Sequence, residues 1–421
     1  MKKPLRIAIN AQIPAGSGAG GIETVLRVLT TLNQLDGDEE YIFIGHPTDA
    51  DWLEPLLGER QTLVRAPNPA QQFKPDKAEI LKRMLGRLRP VIRNVKNFLT
   101  SPPKILPKVP VSDGFFESLN CDVIHFPYQD YVYCAGIPTV YNPHDLQHRH
   151  YPEFFAPEEI ARREIIYPAA CRAAQTVVVA SRYVKRDVIE SYGTEAGKIQ
   201  VIPWSPPEIS LDEFTEKEAL RLLEKYDCPA RPFILYPAMT WEHKNHLRLL
   251  EAVYYLRERV GLTVNIVCTG HKNSFFGKIE KRLCELNLEK QIQFTGIVEY
   301  KELSMFYRLA QFVIVPTLFE AASAPLFEAW QHGTPVACSK VTALPEQAAD
   351  AALLFDPLSV EEIAGAIKTL ALDENLRAEY RTRGFRRLRD FDLERTAKAY
   401  RAVYRKAAGM ALTDEDSDLL N

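Results

Sequence analysis

Val315-Pro-Thr-Leu-Phe-Glu320-Ala-Ala-Ser-Ala-Pro325-Leu-Phe-Glu328-Ala-Trp-Gln-His-Gly333-Thr-Pro-Val-Ala-Cys338 reads as strand, loop, helix, turn and strand in succession. The β-branched run before Pro316 suits a buried strand, and the loop after it carries little side-chain bulk. Pro325 suits the first helical position, where a missing N–H costs nothing, and Gly333 suits the left-handed turn that closes a helix. A second short apolar run, Pro335-Val-Ala-Cys338, then starts a new strand. A strand returning through a helix to another strand is the unit of a parallel sheet.

The same rhythm extends in both directions. Runs at Phe233–Tyr236, Thr263–Cys268, Ile292–Thr295, Phe312–Val315, Pro335–Cys338 and Ala352–Phe355 alternate with helical stretches in the second half. The first half repeats it at Arg6–Asn10, Tyr41–Gly45, Thr62–Arg65, Asp122–Phe126, Pro138–Asn142, Thr176–Ala180 and Lys198–Ile202. The length of 421 residues, at roughly 150 per domain, also favours more than one core. The expected fold class is therefore α/β: two Rossmann-like, doubly wound domains meeting near residue 206 and facing each other across a cleft, with ligand at the carboxyl ends of the strands. The expected divisions are 1–205, an N-terminal acceptor-side domain; 206–387, a C-terminal ligand-binding domain; 388–409, a further helix; and 410–421, an acidic tail read as solvated and disordered.

Composition narrows the function. With 46% hydrophobic and 25% charged residues the chain is an ordinary globular protein, and 52 Lys+Arg against 55 Asp+Glu argues against a nucleic-acid partner. The 7 cysteines are scattered and odd in number, without the close pairing of a zinc site, and read as reduced thiols of a cytoplasmic protein. The start of the chain lacks a signal-peptide core, and no apolar run approaches the ~18 residues of a membrane span.

One segment departs from the average. Residues 73–110 hold ten Lys/Arg and only the acids Asp76 and Glu79, a net charge of about +8 that leaves about −11 elsewhere. Ile80, Leu81, Met84, Leu85, Leu88, Val91, Ile92, Val95, Phe98 and Leu99 recur at helical spacing, so one face is apolar and the other basic. Lys82, Arg83, Arg87, Arg89, Arg93 and Lys96 are thus candidates for contact with an anionic membrane surface or a lipid-borne acceptor, which gives the protein a peripheral place on the cytoplasmic face. The alternative is a surface helix packed on its own domain, with Pro90 kinking it.

Three constellations could carry chemistry. Gly16-Ser-Gly18-Ala-Gly20-Gly21 follows a strand and precedes a helical run, the setting in which a backbone approaches phosphate. No carboxylate closes the next strand, so a dinucleotide is disfavoured and a cleft ligand preferred. His144 and His148 share the spacing of a zinc pair, but Pro143 and the strand before it place His144 at a strand end, where it would donate a hydrogen bond into the cleft. The third is the opening stretch. Its helix start at Ala324, Pro325 and Leu326 directs free amides and a positive helix end into the cleft, suited to a nucleotide diphosphate. Glu320 and Glu328 can then accept hydrogen bonds from vicinal sugar hydroxyls.

These residues resemble the family 4 retaining glycosyltransferases, whose GT-B fold sets the active site between two Rossmann-like domains. Glu320-x7-Glu328, Gly333-Thr-Pro, Leu344-Pro-Glu346 and Ala351–Pro357 look like that family's donor-binding stretch. Gly20-Gly21-Ile-Glu-Thr resembles its glycine loop, His144-Asp145 its cleft histidine, and Trp241-Glu-His-Lys244-Asn-His246 its phosphate-binding region. The resemblance implies that Lys244 neutralises the donor diphosphate, Glu328 holds the ribose, Glu320 sits beside the donor sugar and His144 contacts that sugar from the opposite domain. It also implies that the helix 388–409 returns to the first domain. No metal or other cofactor is required, since a lysine and a helix N-terminus can compensate a leaving diphosphate.

Two departures fall where the sugar phosphates sit. No arginine precedes Lys244 in Tyr236-Pro-Ala-Met-Thr-Trp241, and Ala321-Ala-Ser-Ala324 replaces a glycine-rich loop. The expected activity is retaining transfer of a hexose, mannose from GDP-mannose or glucose from a UDP donor, onto a lipid-linked or polysaccharide acceptor. The competing readings are a zinc hydrolase built on His144 and His148, and a nucleotide-sugar-binding scaffold without turnover.

Overall fold

The computed structural model describes residues 3–14, 20–67, 108–206 and 211–420. Every β-branched run named above forms a strand. Those of the first half are β1 (Arg6–Ala11), β2 (Glu40–Gly45), β3 (Gln61–Arg65), β4 (Val123–Phe126), β5 (Thr139–Tyr141), β6 (Thr176–Val179) and β7 (Ile199–Val201). They make one sheet in the order β3-β2-β1-β4-β5-β6-β7. The second sheet runs β10-β9-β8-β11-β12-β13, from β8 (Ile234–Pro237), β9 (Ile266–Thr269), β10 (Ile292–Gly296), β11 (Val313–Val315), β12 (Val336–Ser339) and β13 (Leu353–Phe355). All pairings are parallel, as expected of strands buried on both faces by helices.

In each sheet the order reverses beside the first strand, between β1 and β4 and again between β8 and β11. At such a switch point the flanking crossovers leave on opposite faces and open a crevice at the carboxyl edge. The segment from Gly20 onward follows β1, Lys244 lies after β8, and Glu320 lies after β11.

After the helix Glu374–Leu388 the chain turns at Asp392, whose carboxylate accepts from the Arg395 amide, and the helix Leu393–Ala407 packs on the first domain. Tyr400, Val403 and Tyr404 bury with Ile7, Ile9, Leu29 and Phe43. A buried polar chain fixes this docking. The His125 imidazole accepts from the Tyr404 hydroxyl at 2.8 Å through Nδ1 and donates to Asn142 Oδ1 at 2.8 Å through Nε2, while Asn142 Nδ2 donates to the Tyr400 hydroxyl at 3.2 Å. Burial lowers the His125 pKa to about 4, so the ring is neutral and offers one donor and one acceptor.

The acidic tail read as disordered is instead ordered: Asp414–Leu420 is a helix packed on the returning one. Asp416 is 1% exposed, receives the Thr413 amide at 3.1 Å and pairs with Arg405 at 3.0 Å, while Arg405 also holds the 3% exposed Glu39. Lys398 pairs with Glu415 at 3.0 Å. The local excess of acid is matched by bases on the preceding helix, a compensation that composition within the tail cannot reveal. Among the described residues no helix is long and apolar enough to cross a membrane. The basic segment lies outside the described residues up to Pro107, and with it Lys82, Arg83, Arg87, Arg89, Arg93 and Lys96.

Arg405→Ala would leave two buried carboxylates without their cation, and a loss of about 3–5 kcal/mol in the urea transition is expected. A shift below about 1 kcal/mol, the value of an exposed pair, would show that water already screens these charges.

Candidate active site

The second domain assembles most of the site. After β8 the chain makes one short turn, Glu242–Lys244, and Asn245 adopts a left-handed conformation (φ 63°) before the helix His246–Tyr255. The Asn245 amide donates to the carbonyls of Pro316 and Pro357, both at 2.9 Å, and its side chain is buried. The Tyr236 hydroxyl donates to the Lys244 carbonyl at 2.6 Å, and the Leu318 amide donates to the His243 carbonyl at 2.7 Å. The turn is therefore fastened to the end of β11, and Lys244 Nζ forms an ion pair with Glu320 Oε1. Burial, reinforced by the nearby Lys244 charge, pushes His243 down to about 2 and His246 to about 3, so both stay neutral.

The Glu320 loop is held by its backbone. Thr342 Oγ1 donates to the Glu320 carbonyl at 2.6 Å and accepts its amide at 3.0 Å. Gln347 brackets Ser323, accepting its amide at 2.8 Å and donating to its carbonyl at 2.7 Å. Pro325 lies in the first turn of the helix Ala324–Gln331, which has no side-chain cap from Ser323. Gly333 is left-handed (φ 68°) and terminates that helix, as its sequence position suggested. Ala324 is partly exposed, but Leu326 is fully buried in the core, so it can offer a ligand only its main chain.

Glu328 is partly buried one turn into this helix and accepts a hydrogen bond from the Tyr307 hydroxyl. Burial pushes its carboxyl above the usual range, and the Tyr307 bond opposes that rise. The Tyr307 ring stacks on His332 at 5.0 Å, and His332 is bonded to the Glu328 carbonyl at 2.6 Å and Ser304 Oγ at 2.8 Å. Sequence reading missed Tyr307 and His332, because the pairing joins two different helices and leaves no periodic signal.

The first domain supplies His144 just beyond β5, in a left-handed conformation (φ 57°). Its Nε2 donates to the Pro127 carbonyl at 2.7 Å, and its ring meets Trp204 edge-on. Burial lowers its pKa, partly offset by that hydrogen bond, so the ring is neutral. The expectation that it donates into the cleft is corrected: with the Nε2 proton engaged, Nδ1 is an acceptor. His148 bonds Glu164 at 3.0 Å through its own Nε2, and Arg149 neutralises that carboxylate at 2.7 Å. The zinc-pair reading is not supported, since each imidazole has a separate structural partner and the described residues gather no group of three or more metal-ligating side chains. Gly20 and Gly21 form the first turn of the helix Gly20–Thr30. The structure brings Lys244 and Glu320 together and sets Ala324, Pro325 and Glu328 on the helix that follows; the bonds of His144 stay within its own domain.

The two domains also touch directly behind Glu320. Phe319 packs against the rings of His150 (5.5 Å), Tyr183 (6.2 Å) and Tyr151 (6.3 Å), and the Tyr151 hydroxyl donates to the Leu318 carbonyl at 3.3 Å.

Two facing Rossmann-like domains with these groups at their switch points define a GT-B glycosyltransferase. Residues 19–204 match the model of Glycosyltransferase Family 4, and residues 226–387 that of Glycosyl transferases group 1. The chain belongs to the family 4 glycosyltransferases. It is 25% identical over 299 residues to the O-antigen chain mannosyltransferase B of Escherichia coli, which covers 66% of this chain and 75% of that one. It is 22% identical over 227 residues to the O-antigen chain mannosyltransferase RfbU of Salmonella typhimurium, at 54% and 59% coverage. The crystal structure of Anabaena Alr3699/HepE, in complex with UDP and glucose, superposes with a TM-score of 0.67 at 15% identity, over 95% of this chain and 99% of that one.

Asn245→Ala adds left-handed strain and leaves two buried carbonyls unpaired, so a loss of about 2–4 kcal/mol is expected. Asn245→Gly removes the bonds without the strain and should lose about 1 kcal/mol less. Equal melting temperatures for the two variants would contradict the assigned conformation.

Proposed function

We propose that this enzyme transfers a mannosyl residue from a nucleotide-diphosphate donor, GDP-mannose in the first instance, to a growing, lipid-linked glycan with retention of configuration. The observation that carries this reading is the Lys244–Glu320 pair at the β8/β11 switch point, beside an uncapped helix N-terminus. The choice of mannose rests on the two O-antigen mannosyltransferase relatives. The lipid-linked character of the acceptor rests on the basic sequence 73–110.

The donor diphosphate takes the place of Glu320 as partner of Lys244, and the main-chain amides at the start of Ala324–Gln331 meet the other phosphate oxygens. Glu320, released from its cation, accepts hydrogen bonds from the sugar hydroxyls. The ionised carboxylate of Glu328 holds the ribose with the oxygen that Tyr307 leaves open. His144 Nδ1 accepts from a sugar hydroxyl on the opposite side. Departure of the nucleotide diphosphate places negative charge beside Lys244, which is where the site compensates it. The acceptor hydroxyl approaches the same face, and the leaving phosphate oxygen takes its proton. No side chain is assigned as a covalent nucleophile.

Lys244→Ala and Glu320→Ala should each lower turnover by about 10²–10³-fold while leaving a folded protein. Product analysis with GDP-mannose and UDP-glucose supplied separately checks both the donor and the two roles; wild-type turnover in either variant removes that residue from the mechanism.

Glu328 must be ionised to hold the ribose, and its pKa is raised, so donor affinity should decline as pH falls through that raised value and recover above it. Glu328→Gln should bind donor about tenfold more weakly at neutral pH and show no such decline. Tyr307→Phe should move the decline to higher pH, because the hydrogen bond it removes favours the ionised form. Calorimetric titration between pH 5 and 8 reads all three.

A further inference from the structure

We propose that Glu346 is a positioning residue that couples closure of the two domains to the geometry of the donor loop, an inference resting on the transferase reading above. The helix Arg182–Tyr192 of the first domain begins with amide groups that have no partner within the helix. The hydroxyl of Ser181, the residue before it, accepts the Val184 amide at 3.3 Å, and the Ser181 carbonyl accepts the Lys185 amide at 3.0 Å. The Arg182 and Tyr183 amides donate instead to the two carboxylate oxygens of Glu346, at 3.0 and 3.3 Å. A carboxylate at the positive end of a helix is favoured by the helix dipole and by charge-assisted hydrogen bonds. This cap, however, belongs to the other domain, and it exists only while the domains are together.

The segment that carries Glu346 is the one that holds the donor loop. Thr342 fixes the Glu320 backbone and Gln347 brackets Ser323, at either end of the segment, while the Glu346 side chain reaches across to the first domain. Arg387 braces the segment from behind, donating to the carbonyls of Glu346 and Gln347, both at 2.9 Å. On the other side of the contact, the capped helix supplies Tyr183, whose ring packs on Phe319, the neighbour of Glu320. The contacts close a ring: Glu320 to Thr342, along the chain to Glu346, across to Tyr183, and back through Phe319 to Glu320. Parting the domains exposes the carboxylate and two amides to water and releases one side of that ring. In the transferase reading Lys244, Glu328 and the amides at the start of Ala324–Gln331, all of the second domain, hold the nucleotide end of the donor, so the latch acts on alignment of the sugar end with the first domain.

The contact can be broken from either side. Glu346→Gln keeps the side-chain shape but loses the charge and one acceptor. Arg182→Pro removes one donor amide at the first helical position, where proline is well tolerated and the extended Ser181 before it is compatible. Each variant should bind GDP and UDP within about twofold of wild type, while turnover falls about tenfold, the loss expected of charge-assisted hydrogen bonds. Small-angle scattering of the nucleotide-bound protein should show a larger radius of gyration in both. The double variant should lose less than the product of the two single effects. Unchanged turnover and scattering in both variants would overturn the proposal. So would parallel losses of nucleotide affinity and melting temperature, the signature of a cap that merely stabilises its helix. If wild-type protein turns over no donor, the transferase reading fails, and the scattering comparison, which needs no turnover, still decides the coupling.

Discussion

The amide of Asn245, donating to the carbonyls of Pro316 and Pro357, joins strand ends that the sheet leaves unconnected. A parallel ladder fixes β8, β11 and β13 along their lengths, but the chain beyond each strand is free to leave in any direction. A single side chain able to donate twice removes that freedom, and it does so only in the left-handed conformation that asparagine tolerates better than most residues. Lys244 sits immediately before this anchor and its carbonyl is held by Tyr236. The reach of its ammonium is thereby limited to the loop that carries Glu320. The charge pair of the site follows from a neutral, buried constraint next to it.

A comparable division of labour holds the two domains in one molecule. The returning helix Leu393–Ala407 docks through apolar burial, which is strong but indifferent to register. The His125–Asn142–Tyr400 and His125–Tyr404 hydrogen bonds supply the register, because a shift of one residue would leave several buried polar groups unpaired. Arg405, with Glu39 on one side and Asp416 on the other, extends the same logic to the last helix. At the cleft the contact is lighter: the Phe319 ring among aromatic neighbours and a partly exposed Glu346. The first domain is thus bound firmly to the returning helix and more loosely to the donor-side loop.

What the sequence revealed and what it hid divide along the same physical line. Strands were legible because burial on both faces demands short β-branched runs, and the helix Ala324–Gln331 was bounded by a proline and a glycine whose backbone preferences act locally. Lys244 and Glu320, 76 residues apart, could be placed together only through resemblance to a family, since nothing in either local stretch specifies the other. Tyr307 beside Glu328 had no sequence signal at all. The tail was misread for the same reason: four acids without a base look solvated until Arg405 and Lys398 on the neighbouring helix are counted. The protonation of His144 was also out of reach, because the Pro127 carbonyl that takes its proton is defined only by the fold.

The state of the free site bears on how it selects a ligand. Lys244 is neutralised by Glu320, so an anion gains from that lysine only by displacing a carboxylate. A monoanion exchanges one such charge for another and gains little beyond geometry. On the proposed reading a diphosphate, which brings more charge and would also meet the amides at the start of Ala324–Gln331, would outcompete Glu320 where a single carboxylate or chloride would not. Displaced from Lys244, the Glu320 side chain would remain tethered by Thr342 through its backbone, close to the position the proposed reading gives the sugar. On the proposed transferase reading the pair would serve twice, as a filter for the charge of the leaving group and as a store for the carboxylate that meets the sugar.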